Sequence, residues 1–92
     1  MSDNKQRAIM DEVALGLLAT GEWRKPSFEN GLMKLKTIKG GHEFRIDLTP
    51  TLAMIFAVEY GVVEQEWVEV NAADILDCVA RQLAEFRAGI AA

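Results

Sequence analysis

One cysteine, one histidine, one tyrosine and two prolines are all that a chain of 92 residues holds of those types, and each scarcity excludes something. Cys78 stands alone, so no internal disulfide can staple the fold, and a reducing compartment such as the cytoplasm is expected. His42 has no second histidine and only a distant cysteine, which leaves no metal-ligand spacing to read. No apolar run approaches the roughly 20 residues of a membrane span. The polar start, MSDNKQR, leads into too short an apolar stretch for a signal peptide or anchor. No nucleophile is spaced with a base, and Glu64, Glu66 and Glu69 read as a solvated acidic face. The expectation is a non-enzyme without cofactor or metal.

What is present is ordinary for a globular chain: 50% hydrophobic and 26% charged residues, too apolar for disorder. Residues 1–92 are enough for one domain, and smaller pieces could not each bury a core. The net charge of −4 is unevenly spread. Residues 21–45 carry six basic side chains (Arg24, Lys25, Lys34, Lys36, Lys39, Arg45) against three acidic ones, whereas residues 46–92 carry two against eight. Such asymmetry steers association.

Along the chain, Ile9, Met10, Val13 and Leu17 recur at helical spacing over about 4–20, with Gly21 as the stop. Ala8, Leu15 and Ala19 fall on the opposite side of that helix. They are either covered by another segment or form a second face for a partner or another copy of the chain. Residues 22–31 read as a connection, with Pro26 and Gly31 as breakers.

The stretch TIKGGHEFRIDLTP, residues 37–50, carries adjacent glycines followed by an alternating strand. A phosphate loop needs a lysine and a serine or threonine opening a helix, and neither follows here. Gly40-Gly41 is instead predicted to be the centre of a two-residue hairpin turn. That register pairs Thr37 with Phe44, Leu35 with Ile46 and Met33 with Leu48 on one face. On the other it pairs Lys36 with Arg45 and Lys34 with Asp47, sorting apolar from charged residues as a half-buried hairpin requires. Thr49-Pro50 then reads as a helix cap and first position. The following helix, 50–60, is apolar nearly all round, so it is either central in the core or partly exposed as a binding surface. Residues 62–70 read either as an extended segment or as a continuing helix, and their valines and Trp67 favour the strand. Asn71 caps a final helix with Ile75, Leu76, Val79, Leu83, Phe86 and Ile90 on one stripe.

The fold class expected is α+β: helix, β-hairpin, apolar helix, third strand, C-terminal amphipathic helix. A helix-turn-helix over 53–70 is rejected, because its recognition helix would carry Glu64, Glu66 and Glu69 and no cation against phosphate. The function expected is a non-catalytic interaction module docking on a larger protein or ribonucleoprotein complex. Arg24, Lys25, Lys34, Lys36, Lys39 and Arg45 are its candidate contacts, the hairpin reaching the phosphate backbone where nucleic acid is present. The same lysines also suit a merely solubilising strand edge. Rival readings are a homo-oligomeric assembly accessory acting through Ala8, Leu15 and Ala19, and a weak, non-specific nucleic-acid binder. In size, acidity and lack of motifs the chain is similar to phage-encoded anti-CRISPR inhibitors of bacterial defence complexes. That likeness is one of type and rests on no shared residue motif.

Overall fold

In the computed structural model, which describes residues 2–59, 61 and 63–91, a helix leads into five strands and a second helix closes the chain. Helix α1 spans Ser2–Ala19. It ends as the sequence implies: the Thr20 hydroxyl donates to the Leu17 carbonyl at 2.7 Å, and Gly21 follows at φ 75°. Strand β1 (Ser27–Glu29) pairs with β2 (Leu32–Lys36) across Asn30-Gly31, both at positive φ, a two-residue hairpin within the segment expected to be a connection. Strand β3 spans Glu43–Leu48, β4 Leu52–Ala57 and β5 Glu66–Glu69, and helix α2 runs Ala72–Ala91. The Asn71 side chain caps α2 by accepting the Asp74 amide at 2.8 Å.

The five strands form one antiparallel meander in chain order, β1-β2-β3-β4-β5. The α+β class stands, with two corrections inside it. The first concerns residues 50–60, where strand β4 replaces the expected apolar helix. Thr49 is not a helix cap. It closes the turn between β3 and β4, its amide donating to the Leu52 carbonyl (2.8 Å) and its hydroxyl accepting the Leu52 amide (2.9 Å). Thr-Pro opens tight turns as readily as helices. In LAMIFA both faces of the strand are apolar, so the period of two is invisible in the sequence. The strand expected over 62–70 is present as β5. Tyr60 and Val62, at the ends of these two expected segments, lie outside the described residues.

The second correction is register. Leu35 pairs with Phe44, Met33 with Ile46 and Thr37 faces His42, a slide of two residues from a two-residue turn. Thr37 sets it. Its amide donates to the His42 carbonyl (2.9 Å), and its buried hydroxyl donates to the Lys39 carbonyl and accepts the His42 amide, both at 2.9 Å. The loop therefore holds four residues, Ile38 to Gly41. Because the slide is even, every side chain keeps its expected face while changing its partner. Lys36 lies opposite Glu43, not Arg45, and Lys34 lies opposite Arg45, not Asp47.

Both helices pack on one side of the sheet. Met10, Val13 and Leu17 of α1 and Ile75, Val79, Leu83 and Phe86 of α2 meet Met33, Leu35, Phe44, Ile46, Ala53 and Ile55. Each large side chain so buried contributes about 1.5–3 kcal/mol. Trp23 and Phe86 both meet the Phe44 ring edge-on at 5.4 Å, which ties the loop after α1 to the core. Ile90, expected in the apolar stripe of α2, is exposed at its end.

Candidate interaction surface: the open face of the sheet

No described element covers the other face of the sheet. Alternation from the buried positions sends Lys34 and Lys36 of β2, Glu43, Arg45 and Asp47 of β3, Leu52, Met54 and Phe56 of β4, and Trp67 and Glu69 of β5 to that side. The ladder fixes their rows. Lys34, Arg45 and Phe56 are successive cross-strand neighbours; so are Leu32, Asp47, Met54 and Trp67.

The rows polarise the face. At the end nearest the Gly40-Gly41 loop lie Lys34, Lys36 and Arg45, joined by exposed Arg24, whose amide donates to the Lys36 carbonyl at 2.9 Å. The one acid there, Glu43, accepts from Arg45 Nε at 2.8 Å and sits opposite Lys36. At the far end, nearest the Thr49-Pro50 turn, lie Glu29, Asp47 and Glu69. An apolar column, Leu52, Met54, Phe56 and Val58, runs down β4 between the two ends, and Trp67 stands beside it with half its surface exposed.

Four of the six cations singled out in the sequence thus gather on one end of this face. Lys25 does not. It rims a groove of about 400 Å³ between α1 and β1 with Arg7, Leu15, Leu18 and Phe28. Nor does Lys39, which sits at the loop tip beside Glu22, His42 and Arg87. Ala8, Leu15 and Ala19 are exposed on the outer side of α1, Leu15 at 69%. In the sequence the apolar column on β4 reads as a helix, partly exposed at most, and Trp67, though it reads as strand, is given no place on a face. The signal available was the length of LAMIFAV, short for a helix and ordinary for a strand.

The remaining polar groups hold the fold together. His42 is half-buried; its Nδ1 lies 2.6 Å from Glu59 Oε1 and its ring packs 4.8 Å from Phe86. Arg87 donates to Glu22 at 2.8 Å and Arg81 to Glu66 at 2.7 Å, and these guanidinium hydrogen bonds hold both carboxyls below the ordinary glutamate range. Burial, with the Glu66 charge beside it, pushes the Cys78 thiol up, so it stays neutral and a poor nucleophile at pH 7. Among the described residues no three His, Cys, Asp or Glu side chains converge as metal ligands, and no helix is long and apolar enough to cross a membrane. An apolar groove of about 520 Å³ runs between the helices, lined by Leu17, Trp23, Leu76 and Leu83.

No protein family, curated protein or solved structure matches the chain.

Proposed function

We propose that the protein is a non-catalytic interaction module that joins a larger macromolecular assembly through the open face of its sheet. The observation that carries this reading is the combination on one uncovered face of an apolar column, a half-exposed tryptophan and segregated charges. Apolar and aromatic groups supply affinity, and the charges supply register and association rate. Lys34 directly opposite Arg45 supports the reading further, since like charges across a ladder cost stability and gain their return from an anionic partner. A stoichiometric inhibitor or regulator of a nucleic-acid-handling complex is one form such a module takes. The test is capture from native lysate with Lys34→Glu/Lys36→Glu as the comparison. We expect the captured assembly to be lost while the melting temperature stays within a few degrees. Undiminished capture would remove the basic end from the surface.

Direct binding of single-stranded nucleic acid is favoured by one observation, Phe56 lying beside Arg45 where a base could stack and a phosphate pair. Against it, Trp67 and Met54 stand in the acidic half, where phosphates would lie over Asp47 and Glu69. Titration with an oligonucleotide across salt separates the readings, because phosphate contacts predict a steep loss of affinity as salt rises.

A further inference from the structure

The partner of the open face is written in its own layout. Consider a two-fold axis lying between two such faces, perpendicular to the strands and crossing midway between the Lys34-Arg45-Phe56 row and the Leu32-Asp47-Met54-Trp67 row. Each strand then lies over its own copy running the opposite way, and one row lies over the other. Arg45 meets Asp47 of the second copy, and the same pair repeats across the axis. Phe56 meets Met54, and Val58 meets Leu52. Arg45 and Asp47 are the opposite charges brought together, Lys34 falls over Leu32, and the apolar column covers itself. A self-complementary patch of this kind is what a closed two-fold dimer requires. Facing sheets pack about 10 Å apart at about −30°, and the rows nearest the axis keep their pairing under that rotation. From these relations we infer that the open face is closed by a second copy of the chain, giving a four-layer dimer with helices outside and sheets within.

This rests on the reading of the open face as the interaction surface: a second copy covers it in the free protein, and the larger assembly displaces that copy to bind. The edges of the sheet suit pairing less well: β1 has three residues with Pro26 just before it, and β5 has four. The outer side of α1 offers Leu15 and Leu18 beside small alanines, with exposed Lys5, Arg7, Asp11 and Glu12 toward its start. Strands of three, five, six, six and four residues, at about 3.4 Å per residue and about 4.8 Å apart, give a face of about 390 Å² before side-chain relief. That is small beside the roughly 800 Å² per partner of a standard interface, so the dimer is a reversible one that dilutes apart.

The test is sedimentation velocity of the whole protein over a hundredfold concentration range, together with acrylamide quenching of tryptophan. Trp23 is 3% exposed and Trp67 50%, so quenching reports on Trp67. We expect a monomer–dimer equilibrium, with quenching of Trp67 falling as dimer forms. Asp47→Arg, which sets like charges across the axis, is expected to weaken the dimer at least tenfold, and Arg45→Glu/Asp47→Arg to restore it. Met54→Lys is expected to abolish it without loss of fold by circular dichroism, and Leu15→Glu to leave it intact. A protein that stays monomeric throughout overturns the dimer. If such a monomer still loses its lysate partner with Lys34→Glu/Lys36→Glu, the face remains an interaction surface with a different occupant. A dimer dissolved by Leu15→Glu but not by Met54→Lys, or one not rescued by the charge exchange, also overturns the proposal.

Discussion

Gln82 lies wholly buried on α2, and its side-chain nitrogen faces three acceptors: the carbonyls of Ile55 and Glu64 at 3.0 and 3.2 Å and Glu66 Oε1 at 3.3 Å. One amide thus ties the last helix to β4 and to the chain entering β5. Its own Oε1 has no partner, a cost accepted for the three contacts on the other side. Gln82→Leu should destabilise the protein by about 1–3 kcal/mol, since it strands buried acceptors without creating a large cavity. Gln82→Glu should be worse at neutral pH, because it sets a carboxylate among oxygens. Its raised pKa makes that penalty fade as pH falls, so acidification should recover part of the loss. Denaturant melts of both variants at pH 7 and pH 5 check the pair. A Gln82→Glu protein that is the less stable of the two by an equal margin at both pH values would contradict the charge argument. Nothing in the sequence marked Gln82, whose place on the buried side of α2 is clear only when β4 and β5 supply the acceptors.

At the scale of elements, Gly40 in the β2–β3 loop joins two constraints. Its φ of 91° lies where side chains are rarely tolerated, and a Cβ there would sit 2.6 Å from His42 Nε2. Gly41, at φ 64°, meets no neighbour. Gly40→Ala should therefore cost more than Gly41→Ala, for which about 1–2 kcal/mol is expected from the left-handed conformation alone. Equal thermal shifts would argue that His42 moves freely aside. The glycine pair was legible in the sequence as a turn, and so were the two faces of the hairpin, both helices and the Asn71 cap. The length of the loop was not, because it depends on the Thr37 hydroxyl binding across to His42, a contact made after the strands meet. Asn30-Gly31 was a hairpin signal in plain view, masked by the short flanking SFE. The fate of LAMIFA was hidden for a deeper reason. A strand apolar on both faces and a helix apolar all round have the same composition, and only the neighbours on each side decide. Since β4 carries the apolar half of the candidate surface, the site was half legible: its cations could be read, its column could not.

The whole molecule separates its charges by layer. The sheet's open face balances four cations, Arg24, Lys34, Lys36 and Arg45, against Glu29, Glu43, Asp47 and Glu69, so the net charge of −4 belongs to the helices, the loops and Glu66 of β5. Two ion pairs stitch that acidic side to itself across long stretches of chain: Glu22 after α1 with Arg87 on α2, and Glu66 on β5 with Arg81 on α2. In both, the guanidinium holds the folded carboxyl below its ordinary value, so the unfolded chain binds protons more readily than the folded one. Their contribution to stability is therefore fully present above the ordinary glutamate value of about 4.3 and is lost as pH falls through the lower folded values. Both pairs are solvent-exposed, so each is worth little alone and less in high salt. The melting temperature should be flat from neutral pH down to about pH 5 and then fall. Glu22→Gln/Glu66→Gln should lower the neutral-pH value slightly and flatten the acid limb, because the groups whose protonation drives part of the fall are gone. Scanning calorimetry of both proteins from pH 7 to pH 3 at low salt measures the difference. An acid limb equally steep in the double variant would show that the two arginine pairs are not what acid breaks.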